Sequence, residues 1–410
     1  MKNPSGVSRR ALPLFGGEPA RWTSQHGSLT FTQYGAGLPY GGINQVGLAI
    51  EMLWLDETVY PTVAPSTIGE LEWIQYQLDT HATVADVVAS LEKFSIRPVG
   101  GKIHYMLADP SGDRALVEFV DGAARVTRGE SRALVCTNDT QKLSELAFAA
   151  LRKMPLEGNS SRVRYARLRR DLDVRDVPPT VAGAFVLLDS VAETGRRYRT
   201  QWSAVYELGS KQVHIKPGEA KRAATIDAAT LDYGPASGTS FQDLFGKKLG
   251  NDGFVPITQA AQRAMLARNL PKVGLNQQHD EIARHLLDPT DSEVRPLSDR
   301  ATLKVKIRAS APGGFARIAV FRSQRELTRR RSEHVGSLLL DETDREIAFY
   351  NLPNGTYAVG AFHDRDQDGR PGVDEPLAFF SPNPKATGGQ FADLAFELAV
   401  SEKRVEIVLD

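Results

Sequence analysis

The segment Asp364 to Glu375, DRDQDGRPGVDE, spaces its carboxylates as a hard cation requires. Asp364, Asp366 and Asp368 occupy alternate positions, Gly369 is sixth, Arg370 offers a backbone carbonyl at the seventh, and Glu375 is twelfth. In this D-x-D-x-D-G-x5-E pattern, oxygen ligands wrap calcium and the glycine makes the sharp turn. Without a cation the same carboxylates repel one another, and the segment reads as a solvated acidic hairpin. Its flanks, GTYAVGAFH and PLAFFSPNP, read as extended, so the pattern predicts an EF-hand-like loop on a β scaffold. His363 reads as a strand-end residue, because calcium prefers oxygen.

A second chemistry is suggested by ALVCTND. Cys136 is the only cysteine, so no intrachain disulfide forms. No histidine stands beside it in sequence, and it reads as a small buried hydrophobe. Asn138 sits at the end of the same run, where a side-chain amide either donates to a developing oxyanion or forms a turn. Both readings stand on the sequence alone. Arg162, Arg164, Arg167, Arg169 and Arg170 share one amphipathic segment, which reads as a solvated helix face with one or two members turned inward.

These residues need elements to position them. At 410 residues the chain exceeds one ordinary core, which predicts two domains. Lys plus Arg and Asp plus Glu are equal at 50 each, which removes the electrostatic case for nucleic acid or an anionic membrane surface. A small-molecule partner is expected instead. No run is long and apolar enough to predict a bilayer span, and the first residues lack a signal peptide's apolar stretch. Strands flanking a tight turn are expected over 28–60, and helices over 66–78 and ATVADVVASLEKF. IHYMLADPSGD, RALVEFVDG, AARVTRGE and RALVCTND predict an antiparallel meander. KLSELAFAALRKM and SRVRYARLRRDL read as helices, GAFVLLDSVAE is ambiguous, and a hairpin turns at Gly209-Ser210. The expected division is a body over 1–275, a helical and polar linker over 276–300, and a β-sandwich over 301–410 with evenly spaced short strands.

The ordered words GVSRRAL, GEPARWTSQHGSLTFTQYG, GGINQVGLAIEMLWLDETVYP, IRPVGGKIHYMLADPSGDRALVEF, CTND, SSRVRYAR and TQWSAVYEL resemble the choloylglycine hydrolase family over about residues 6–270. That family includes the penicillin V acylases and bile salt hydrolases. The resemblance implies an α+β architecture, the N-terminal-nucleophile αββα sandwich, and attack on a linear amide by a cysteine that opens the mature chain, with its own α-amine as base. It implies that Asn138 donates its side-chain amide to the oxyanion, that Trp54 contributes a backbone N–H to the same hole, and that Arg164 pairs with polar groups of the site, with Arg162 as the neighbouring alternative. The implied substrate is a small N-acyl amide, of which penicillin V, a bile-acid conjugate and an N-acyl-homoserine lactone are equally compatible. No cofactor is implied for catalysis.

This sequence departs from the family pattern at its start. MKNPSGVSRRAL matches a point past the first hairpin, which in the family carries the cysteine and its arginine and aspartate partners. The expectation is therefore amide hydrolysis only if a longer chain supplies the cysteine, together with an export signal that would make the protein periplasmic or extracellular. The alternative is a catalytically inactive calcium-binding surface or binding protein on the same fold, with an exposed strand edge open to a homo-oligomer or another chain. The run NLPNGTYAVGAFHDRDQDGRPGVDE resembles an uncharacterised bacterial exported β-domain family.

Overall fold

The computed structural model describes residues 1–14, 16–129, 133–174, 180–195, 199–218, 220, 222–246, 248–290, 293–367, 369–372, 374–382, 390–399 and 402–410. Its body is layered. A nine-stranded sheet runs, from one edge, through Ala123–Arg128, Arg114–Val120, Ile103–Ala108, Ala49–Trp54, Gly41–Asn44, Ser28–Phe31, Lys2–Asn3, Ser240–Phe241 and Val255–Pro256. Helix Glu70–Thr80 packs on one face through Trp73, Ile74 and Leu78, against Ile50, Tyr105 and Val117. On the other face, Leu29, Phe31 and Ile43 meet Val213, Ile215 and Ile226 of a three-stranded sheet, Trp202–Glu207, Gln212–Pro217 and Ala224–Asp227. Helix Val181–Ser190 covers that second sheet, with Lys216 lying over the Phe185 ring and paired to Asp189. Helix, sheet, sheet, helix is the αββα sandwich of the N-terminal-nucleophile hydrolases.

Two glycines fix how the central strands approach. A Cβ on Gly42 would lie 2.3 Å from the Leu29 carbonyl, and one on Gly41 would lie 2.3 Å from the Glu51 carboxylate. No other residue type tolerates these contacts without moving backbone or a buried charge. The strand Gly41–Asn44 therefore nests closely between its neighbours and ends opposite Glu51.

The local differences from the sequence reading have physical causes. The helix expected over 66–78 begins only at Glu70, because the Glu72 carboxylate caps the Gly69 N–H at 2.9 Å. Ser66–Ile68 is a strand, parallel to Glu18–Pro19 and Ser95–Ile96. The fourth run of the expected meander, residues 133–138, joins no ladder among the described residues, and its polar groups serve side chains instead. The 276–300 stretch is more than a spacer: helix His279–Leu287 buries Ile282 and Ala283 beside Leu14, Tyr34 and Leu266 of the body.

From Arg300 the chain forms a β-sandwich. Asp344–Pro353, Arg300–Ala309 and Glu402–Leu409 make one sheet, and His334–Leu339, Phe315–Phe321, Gly355–Asp364, Leu377–Phe379 and Phe396–Leu398 the other. Val305, Ile307, Ile318, Val320, Tyr357 and Val359 fill the core between them.

The two units are fastened by charge. The buried Arg345 guanidinium holds Asp121, in the turn after strand Arg114–Val120, at 3.1 Å, and also pairs with Asp341. Asp121 accepts the Glu346 N–H at 3.0 Å as well, and Tyr350 Oη accepts the Tyr60 N–H at 2.9 Å. Removing one member of a buried pair leaves its partners uncompensated. Arg345→Leu should lower the unfolding free energy by about 3 kcal/mol, read as a shift in the urea midpoint; a shift within error would show that the clamp carries no energy.

Candidate functional site

The backbone of Trp54 is the starting point. In strand Ala49–Trp54, Met52 N–H donates to Tyr40 on one side, while Leu55 N–H donates to Lys102 on the other. N–H directions alternate along a strand, so the Trp54 N–H and C=O point to the Tyr40 side, beyond the end of strand Gly41–Asn44. On that side Asn138 Nδ2 donates to the Trp54 carbonyl at 3.0 Å. An amide of this type has a second N–H to offer, on the side of the strand to which the Trp54 N–H points.

Asn138 is held from three directions. Its backbone N–H donates to Ser161 Oγ at 2.8 Å, and Ser161 Oγ donates to Thr137 Oγ1 at 3.0 Å. Arg164 Nη2 donates to Asn138 Oδ1 at 2.7 Å, which turns the amide nitrogen toward Trp54. Arg164 in turn lies 3.5 Å from Glu193. Helix Ser161–Val174 and the 133–138 segment thus bring Trp54, Asn138 and Arg164 together.

The other arginines of that helix are tethers rather than a solvated face. Arg167 reaches Asn159 and the Ser190 carbonyl, Arg169 pairs with Glu145 at 2.6 Å, and Arg170 donates to the Leu151 carbonyl at 2.7 Å. Arg162 lies 3.7 Å from Asp139 and covers the Phe315 ring of the β-sandwich.

A second cluster lies beside the first, and sequence reasoning did not find it. His104 sits one register step beyond the Tyr105–Val117 pair, which places it across from Glu118; its Nδ1 is 3.5 Å from Glu118 Oε1. His104 Nε2 is 2.8 Å from the Thr137 carbonyl and 3.4 Å from Cys136 Sγ. Burial by itself lowers the imidazole, but the Cys136 sulfur and the Glu118 carboxylate outweigh it and raise His104 to about 10. Both ring nitrogens thus face acceptors, a carboxylate and a carbonyl, which favours the doubly protonated form. Separations of 14 and 32 residues hide the cluster from any local motif, and only the strand register reveals it. On the sheet-facing side, Glu51 bonds the Tyr206 hydroxyl, and burial pushes its carboxyl up to about 7 although that bond lowers it.

A cleft of about 860 Å³ opens at Trp54. Tyr40, Met52 and Lys102 of the body and Phe349 and Tyr350 of the β-sandwich all contribute to its wall. Lys102 Nζ lies over the Phe349 ring and donates to the Asp56 carbonyl at 3.0 Å; burial lowers its amine to about 8 against the pull of Asp56 and Glu57.

In the acidic loop, Asp364, Asp366 and Glu375 each present an oxygen within 4.8 Å of the others. Arg370 lies on the exposed part of the loop, and Asp368 falls outside the described residues. His363 turns to the Gly313 carbonyl at 2.6 Å. No helix among the described residues is long and apolar enough to cross a membrane.

Residues 20–194 match the family described as acyl-coenzyme A:6-aminopenicillanic acid acyl-transferase, and residues 306–406 match one described as uncharacterized protein conserved in bacteria (DUF2141). Penicillin V acylase of Pectobacterium atrosepticum is 33% identical over 136 residues, which is 29% of this chain and 36% of that protein. The match therefore spans about a third of the curated relative's length. The solved penicillin V acylase of Agrobacterium tumefaciens is similar at 25% identity and a TM-score of 0.54, covering 63% of this chain and 88% of its own. A variant of the conjugated bile acid hydrolase of Clostridium perfringens gives 13% identity and a TM-score of 0.46 over 57% of this chain and 84% of its own.

The raised His104 has a consequence for stability. A histidine whose folded pKa lies above its unfolded 6.5 stabilises fully below 6.5, and that contribution is lost as pH rises through about 10. His104→Gln should cost about 2 kcal/mol at pH 6, the scale of a charged hydrogen bond. The deficit should narrow between pH 7 and pH 10 in urea titrations; a pH-independent deficit would contradict the charged state.

Proposed function

We propose, from the premise that the body of this chain belongs to the penicillin V acylase and choloylglycine hydrolase family, that its chemistry is hydrolysis of a linear N-acyl amide by a cysteine nucleophile. The observation that carries the reading is the Asn138 amide seated on the Trp54 backbone, with Arg164 behind it. Two N–H donors on one side of a strand end suit a tetrahedral oxyanion, whose charge develops only after attack. The thiolate sulfur bonds to the acyl carbon, the carbonyl oxygen becomes the oxyanion between Trp54 and Asn138, and collapse expels the amine with a proton. Water then cleaves the thioester and restores the thiol. Arg164 is a positioning residue here: it fixes which face of the Asn138 amide meets the substrate and withdraws electron density from Oδ1.

The nucleophile that this reading calls for is a cysteine opening the mature chain. The one cysteine within residues 1–410, Cys136, is engaged with His104 and the Thr137 carbonyl. The apolar and aromatic cleft at Trp54 supports an acyl group of substantial size, and Lys102 at its wall favours an anionic substituent.

The test is hydrolysis of a panel of penicillin V, bile-acid conjugates and N-acyl-homoserine lactones by protein that carries the N-terminal cysteine. Asn138→Ala should lower turnover by roughly 100- to 1000-fold with little change in KM. Unchanged turnover, or no hydrolysis anywhere in the panel, would overturn the reading and favour a binding protein built on the same fold.

A further inference from the structure

The acidic loop contains a buried oxygen that no described residue satisfies. Asp364 ends strand Gly355–Asp364, where it is fully buried. Its Oδ2 accepts Arg317 Nε at 2.7 Å, while its Oδ1 is sealed from solvent without a hydrogen-bond partner. A carboxylate oxygen left so inside a domain is costly unless a donor or a cation meets it.

The surrounding loop converges on that group. Glu375 Oε1 accepts the backbone N–H groups of Arg365 and Asp366 at 2.6 and 3.4 Å, and its Oε2 accepts that of Gly372 at 2.7 Å. The return of the chain from Gly369, at φ +77°, is thereby tied to its departure. This fastening holds the Glu375 carboxylate beside Asp364 and Asp366, with one oxygen from each within 4.8 Å of the others. A single ion at about 2.3–2.6 Å from each oxygen spans such a set. Arg317 pairs with Asp364, one of the three carboxylates gathered in this corner, and a further positive group would lower the repulsion among them.

We propose that this loop binds one calcium ion, with Asp364, Asp366 and Glu375 as carboxylate ligands. The donors are all oxygen, which excludes a preference for zinc or copper. After the buried Asp364, the described loop residues 365–367 and 369–372 are exposed and irregular, a setting that suits the flexible coordination of calcium better than the strict octahedron of magnesium. The ion sits where the loop meets Arg317 of strand Phe315–Phe321, and so joins the loop to the neighbouring inner strand of its sheet. This site shares no residue with the oxyanion site and stands or falls independently of the hydrolase reading.

Thermal unfolding of the full chain, stripped with EDTA and titrated with calcium chloride, tests the proposal. A saturable rise in Tm of several degrees is expected, reversed by EGTA, with magnesium chloride producing a smaller rise at the same concentration. Asp366→Ala removes an exposed ligand, so its Tm in EDTA should match the parent while the calcium response is lost. Asp364→Asn should likewise abolish the response, and isothermal titration should give one ion per chain. No calcium-dependent shift at about 10 mM, above the ~10⁻⁴–10⁻³ M range of weak extracellular sites, would overturn the site. So would a response that persists in Asp366→Ala, or an equal response to magnesium.

Discussion

Much of this molecule depends on one strand stopping before its neighbour. Strand Gly41–Asn44 runs beside Ala49–Trp54 only as far as the Gly41–Glu51 pair, and its approach is fixed by the absent side chains of Gly41 and Gly42. Had it continued, the Trp54 N–H and C=O would be consumed in a ladder. Because it stops, neither group is laddered to that strand, and the C=O becomes the seat of Asn138. A defect in sheet pairing is thus converted into a polar site, and the cost of unladdered backbone is offset by a side chain brought from another segment.

That segment can serve only because it is itself not a strand. Residues 133–138 read as a fourth member of the meander, on a short apolar run, Ala133 to Cys136, that ends in Thr137 and Asn138. Their hydrogen bonds go elsewhere: the Thr137 carbonyl to His104, the Asn138 N–H to Ser161, the Asn138 amide oxygen to Arg164. Helix Gln141–Leu151 then starts cleanly, since Thr140 caps the Leu143 N–H. The side chains around this segment supply what a neighbouring strand would have supplied, which is why it stays in place without a ladder.

The legible and illegible parts of the sequence divide along this line. Most helices and the C-terminal strands were legible because their patterns are local, helix Val181–Ser190 being the ambiguous one, and the order of words pointed to Trp54, Asn138 and Arg164, which the structure brings together. What the words do not contain is register. Cys136 reads as an inert hydrophobe until the Tyr105–Val117 pairing sets His104 across from Glu118 and beside the thiol. The arginines of helix Ser161–Val174 read as a solvated face because their partners, Asn159, Glu145 and the Leu151 carbonyl, lie on other elements. The helix at 279–287 looked like part of a linker because its apolar stripe is only three or four residues wide, and its partners Leu14 and Tyr34 lie more than 240 positions away.

The β-sandwich belongs to the same physical scheme as the body. Phe349 and Tyr350 stand on strand Asp344–Pro353, whose first residues, Arg345 and Glu346, grip Asp121. The clamp and the cleft wall are therefore two ends of one strand, and a rigid strand transmits position from the first to the second. Tyr350 adds a hydrogen bond from Tyr60, and Phe349 takes the Lys102 ammonium on its face. On the far side, Arg162 of the helix that positions Asn138 rests on Phe315 of the sandwich. The cleft wall and the helix that carries Arg164 thus each touch the C-terminal domain, the first through Phe349 and Tyr350 and the second through Arg162.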